Sequence, residues 1–192
     1  MTTVAFYFDY RSPYSYLAMT QISDLDLTLH PFDVLDVMKR VGNTPTTIVC
    51  KVKGQYASND LGRWARRYQI PLSRNPQMGE VDGRRLLRAT LAVPDGPERH
   101  KAMEAIFKAM WASPAPLIAP VEIATLLRHA GVAGAAGLAD QMDDPSLEAD
   151  LESANVAAAA LGVFGSPTFL VGDDMFFGND RLDFLRDALV AA

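Results

Sequence analysis

Cysteine is almost missing from this chain: Cys50 is the only one in 192 residues. A single thiol cannot form an intrachain disulfide, a Cys-x-x-Cys redox pair or a multi-cysteine metal site. Sulfur chemistry would therefore have to borrow a thiol from outside the chain. No apolar stretch approaches the ~20 residues that a membrane span needs, and residues 1–18 have no basic segment followed by a long apolar one. No membrane partner is expected, and the cytoplasm is the expected compartment. Excess positive charge is also lacking: the formal net charge is -5, which gives no general drive towards nucleic acid. The three histidines, His30, His100 and His129, are scattered, and none stands near a G-x-S-x-G elbow, so a hydrolase triad has little support. Gly131, Gly134 and Gly137 have the wrong spacing for a dinucleotide fingerprint and follow no strand; they predict an interhelical loop.

What is present is a 49% hydrophobic composition, enough for a substantial core. Val4-Ala5-Phe6-Tyr7-Phe8 is a short apolar run that fits a strand buried on both faces. Ser12 is a good N-cap and Pro13 a good first helical residue, so a helix follows. The alternating stretch from Leu25 to Phe32 predicts a second strand and completes a βαβ unit with a short crossover.

From about Val34 to Leu161 the pattern is predominantly helical. Met103, Ile106, Phe107 and Met110 recur at helical spacing, as do Val121, Ala124 and Leu127. Pro94, Pro97, Pro114, Pro116 and Pro120 divide the region into several helices. Thr168 to Val171 and Met175 to Phe177, around Gly172-Asp173-Asp174, predict a β-hairpin, and Asn179 to Ala191 a closing helix. The strands lie at both ends and the helices between. That order predicts one α/β fold: a thioredoxin-like domain (1–35 and 147–192) interrupted by a helical insertion domain (36–146).

Ser12 carries the strongest chemical signal. A strand running into Ser-Pro at a helix start leaves unpaired N–H groups and a hydroxyl facing whatever lies beyond it, a setting that suits a thiolate or another anion. A free thiol has a pKa of about 8.5 and is only about 3% ionised at pH 7, so such a site would raise its reactive fraction. From the residues alone, a helix cap and nothing more is the better reading of Ser12.

The segment Phe6 to Leu17, the stretch Lys53 to Leu61 with Ile70-Pro71, and the ending Gly162 to Thr168 through Phe177 to Leu182 resemble 2-hydroxychromene-2-carboxylate isomerases. These are relatives of kappa-class glutathione transferases in the DsbA-like branch of the thioredoxin fold. The resemblance implies a homodimeric enzyme with glutathione as cofactor and a small aromatic carboxylate as substrate. Ser12 then contacts the glutathione sulfur, with Pro13 and Tyr14 beside it. Asn43 and Lys53 line the glutathione pocket, Ser166-Pro167 is a cis bond whose backbone meets the glutathione peptide, and Asn179-Asp180 receives its γ-glutamyl end. Arg11 stands where the family usually has an apolar residue, which implies a more electropositive site or a changed substrate. Arg11 or Lys53 would orient the substrate carboxylate. The same scaffold also serves a kappa-like transferase or peroxidase, or a non-catalytic thiol- or partner-binding protein. No metal is implied.

Overall fold

The computed structural model describes the backbone of residues 2–191 and the side chains of 2–190. Met1 and Ala192, the outermost positions of the expected division, lie outside them.

The aromatic run at the start forms β1 (Val4–Phe8), which lies in the middle of a four-stranded sheet. β2 (Leu27–Pro31) pairs with it in parallel, Val4 opposite Leu27 and Phe8 opposite Pro31. Pro31 ends an edge strand, where a missing N–H costs little. Between them runs the short crossover helix α1 (Pro13–Met19). β3 (Thr168–Val171) flanks β1 on the other side and is antiparallel to it; β4 (Asp174–Phe177) closes the hairpin. The strand order is β2-β1-β3-β4. Gly172 has φ 56°, the left-handed conformation that a two-residue hairpin turn favours.

The helical segment between β2 and β3 comprises α2 (Val34–Arg40), α3 (Thr46–Val49), α4 (Lys51–Tyr68), α5 (Gly83–Leu91), α6 (Pro97–Trp111), α7 (Pro120–His129), α8 (Leu138–Gln141) and α9 (Pro145–Ala160). After β4 a short 3-10 turn leads into α10 (Leu182–Ala191). Pro97 and Pro120 open α6 and α7, where a proline has no N–H to lose, and the aspartates Asp33, Asp82 and Asp144 cap α2, α5 and α9. The expected boundaries at 35/36 and 146/147 fall inside α2 and α9.

Strand alternation divides the sheet between two cores. Val4, Phe6, Phe8, Leu29 and Phe169 belong to a large cluster that runs without a break into Leu86, Phe107, Met110 and Leu127 of the inserted helices. Tyr7 and Phe32, on the opposite face, pack with Val37 of α2 and Ala158 of α9. The result is helix on both sides of a sheet whose central strand is buried twice. Met103, Ile106, Phe107 and Met110 are all buried, as their spacing predicts. Val121 departs from its predicted stripe and is 62% exposed. The buried face of α7 is centred on Ile123 and Leu127, with Ala124 at its edge, so a residue one turn before Ala124 points to solvent. No helix among the described residues is long and apolar enough to cross a membrane.

Candidate active site at the start of the first helix

The chain leaves β1 through Asp9 and Tyr10, both fully buried, and turns at Arg11 and Ser12. Tyr10 anchors this turn. Its ring packs 4.7 Å from that of Phe107, its hydroxyl lies 2.5 Å from Thr90 Oγ1, and its carbonyl accepts from Trp111 Nε1 at 2.7 Å. Two inserted helices, α5 through Thr90 and α6 through Phe107 and Trp111, thus hold the peptide that presents Ser12.

Ser12 is the N-cap of α1, with extended φ/ψ of -87° and 110°. Its carbonyl accepts from the Ser15 and Tyr16 amides at 3.1 and 3.3 Å. Its Oγ accepts from Ser15 N at 3.2 Å and donates to the Ser166 carbonyl at 2.9 Å. Pro13 brings no N–H, so the Tyr14 amide is the first-turn donor left over. The Tyr14 phenol is half-buried and its pKa is raised, by burial first and then by Asp60, Tyr56 and Asp180 nearby, so it stays protonated at neutral pH.

The Ser166–Pro167 bond is cis. Ser166 Oγ accepts from the buried Asp9 amide at 2.9 Å and lies 2.6 Å from Ser15 Oγ, which docks this loop onto the start of α1. Asn43 joins the same loop: its Nδ2 donates to Phe164 O at 2.8 Å while its Oδ1 accepts from Thr44 N. Next to it, the Phe164 and Phe177 rings pack 4.7 Å apart, and Gly165 leaves them room, since a Cβ there would fall 2.5 Å from Phe177. On the far side of Pro167, its carbonyl accepts from Gly178 N at 3.0 Å, which brings Asn179 and Asp180 to the site's edge. Asn179 is buried and exchanges hydrogen bonds with the Tyr68 hydroxyl, donating from Nδ2 and accepting at its carbonyl. Asp180 is half-exposed, pairs with Arg181 at 2.6 Å, and lies against the bare Gly178.

Ser12, Ser166, Pro167, Asn43 and Asn179 are thus linked by bonded neighbours, with Tyr14 and Asp180 around them. Lys53 is exposed on the first turn of α4, with no hydrogen bond to this group among the described residues. Arg11 corrects an expectation. Its Nη2 lies 2.5 Å from both Asp9 Oδ2 and Asp33 Oδ1, and its Nε reaches Asp9 as well. Two carboxylates therefore offset the charge that was to make the site electropositive. Burial opposes the guanidinium's charge, but Asp9 and Asp33 outweigh it and push its pKa up.

A profile of the DSBA-like thioredoxin domain family matches residues 3–190. The 2-hydroxychromene-2-carboxylate isomerase of Sphingobium xenophagum is 29% identical, over 98% of both chains. That of Pseudomonas putida is 30% identical, over 97% of this chain and 93% of the relative. The chain belongs to the 2-hydroxychromene-2-carboxylate isomerase family. A solved structure of such an isomerase superposes with a TM-score of 0.84 at 28% identity, covering 98% of this chain and 95% of that one. The architecture is accordingly the DSBA-like thioredoxin fold with a helical insertion, and the named relatives are isomerases.

In this isomerase-family chain, sequence reasoning missed the second ring of the site. Asp9 and Ser15 hold Ser166, Tyr68 holds Asn179, and Asp33 and Arg84 continue the ion pairs from Arg11. The spacing of Asp33 before α2 marks a cap, but nothing local marks its partnership with Arg11, 22 positions away.

Proposed function

We propose that this chain is a cytoplasmic, homodimeric, glutathione-dependent isomerase acting on 2-hydroxychromene-2-carboxylate or a related intermediate of aromatic degradation. One observation carries the reading: at the start of α1 Ser12 holds a hydroxyl proton against the Ser166 carbonyl, and the chain's one thiol, Cys50, lies elsewhere, between α3 and α4. Such a site can hold sulfur without competing with it for electrons.

The residues present fit glutathione. The Ser12 hydroxyl can turn its proton from the Ser166 carbonyl to a sulfur while still accepting from Ser15 N. The Tyr14 amide offers a second donor on the same side, Pro13 having no N–H of its own. The backbone around Ser166-Pro167 supplies an edge for a peptide, Asn43 fixes that loop, and Asp180 at Gly178 suits an α-amino group. Asn179 positions Asp180 through Tyr68. Bound there, glutathione supplies a thiolate that can add reversibly to a conjugated carbon and so permit rotation about the former double bond. Phe164 and Phe177 offer an apolar edge for an aromatic substrate, and Lys53, exposed on the first turn of α4, would orient its carboxylate.

A rate assay with 2-hydroxychromene-2-carboxylate, with and without glutathione, tests this. Ser12→Ala removes a hydrogen bond to a charged sulfur, worth about 1.5–3 kcal/mol, so kcat/KM is expected to fall about 10- to 150-fold. A rate indifferent to both glutathione and Ser12 overturns the reading. Stoichiometric consumption of glutathione would instead make the chain a transferase.

A further inference from the structure

We propose that Arg11 is a positioning residue, clamping the turn that carries Ser12 to the inserted helices, and that Gly83 is the socket that admits it. Two independent observations converge on this. The first is the span of the guanidinium, which bridges Asp9 at the end of β1 and Asp33 at the cap of α2. Each carboxylate is itself held. Asp9 also accepts from the Arg11 and Val34 amides at 2.8 and 3.0 Å. Asp33 also accepts from Leu35 N and from Arg84 Nη1 at 2.9 Å, while its own amide is bound by the fully buried Asn155. Arg84 in turn pairs with Glu148 on α9. The turn before Ser12 is thereby tied to α2, α5 and α9 through one side chain.

The second observation is Gly83, the first residue of α5. A Cβ there would fall 2.6 Å from Arg11 Cδ and 2.8 Å from Nε. Its φ is not positive, so the backbone conformation does not ask for glycine. Glycine is a poor helix residue, and the space that Arg11 fills accounts for it here.

The clamp also sets charge. Asp9 is fully buried within three residues of Ser12, and Arg11 is the cation in contact with it. Without Arg11, that carboxylate would oppose a second negative charge at Ser12. With Arg11 in place, Asp9 and Asp33 share the cations Arg11 and Arg84, and Arg84 also holds Glu148, itself paired with Arg88, with Asp82 at the cap of α5. A lysine would keep the charge but lose the fork that engages two carboxylates at once.

The experiment is a double-mutant cycle on the full chain with Arg11→Ala, Gly83→Ala and both together, plus Arg11→Lys. It reads the thermal unfolding midpoint and the ultraviolet thiolate absorbance of added glutathione against pH; the second readout rests on the glutathione reading above. In the wild-type background Gly83→Ala should lower the midpoint, and in the Arg11→Ala background, which removes the Cγ, Cδ and Nε that a Cβ would meet, it should not. In Arg11→Ala the bound thiol should titrate on the order of one pH unit higher, with partial recovery in Arg11→Lys. Additive midpoints, or a bound thiol that titrates unchanged in Arg11→Ala, overturn the proposal. If wild type develops no thiolate absorbance, the glutathione reading fails, and the midpoint cycle alone decides the clamp. Should Arg11→Ala not fold, Asp9→Asn is added to remove the stranded carboxylate and the cycle is run in that background.

Discussion

Two serines that touch each other across the site serve different ends. Ser12 donates to a backbone carbonyl and caps a seven-residue helix, so its hydroxyl is open to another acceptor and its loss falls mainly on activity. Ser166 serves buried groups: the Asp9 amide and Ser15 Oγ, both on fully buried residues, depend on its hydroxyl. Ser166→Ala would leave both without a partner, at about 1–3 kcal/mol for each orphaned group. Urea unfolding should therefore show a clear drop in midpoint for Ser166→Ala and a smaller one for Ser12→Ala, with the opposite ranking in turnover. At this scale Ser12 was legible in the sequence because a Ser-Pro start is a local signal. The duty of Ser166 was not, since nothing near it in the chain names Asp9 or Ser15.

At the scale of elements, side-chain caps set the start of α1, α2, α5 and α9. Asp33, Asp82 and Asp144 each accept from amides of the helix they precede. At the end of α4, Gln69 adopts φ 55° and ψ 41°, a left-handed conformation that glycine takes without a Cβ penalty. Gln69 is exposed. Gln69→Gly is thus expected to stabilise the protein by about 0.5–1 kcal/mol, after the larger entropy of an unfolded glycine is deducted, seen as a higher thermal midpoint. Helix existence was readable from periodicity and proline placement. Which face is buried was less so: α7 packs against α5, α6 and α8 with Ile123, Ala124 and Leu127 buried, which leaves Val121 outside.

Across the whole molecule, ion pairs join what the chain order separates. Arg11, Asp33, Arg84, Glu148, Arg88 and Asp143 connect the turn after β1 to α2, α5 and α9. Burial opposes ionisation of Asp33, but Arg11 and Arg84 outweigh it, and its carboxyl lies below the usual range. Arg84 and Arg88 do the same for Glu148 against its burial, and Arg85 for Asp143. A depressed carboxyl contributes stability that is fully present above its unfolded pKa, about 4, and is lost as pH falls through its folded value. The thermal midpoint should therefore hold between about pH 5 and 7 and decline below about pH 4, with a shallower acid decline in Arg84→Gln. Added salt should weaken the exposed Glu148 and Asp143 pairs more than the buried Asp33 one. The sequence by itself determined β1, the Ser12-Pro13 helix start, the hairpin at Gly172 and the buried stripe of α6, because capping, turn chemistry and periodicity act between near neighbours. Tertiary packing alone decided that Ser166, 154 positions away, meets Ser12 and that Arg11 turns from the site to Asp9 and Asp33. Those contacts exist only once the sheet places β3 against β1 and the inserted helices close over the turn, bringing groups within hydrogen-bond reach that no local pattern pairs.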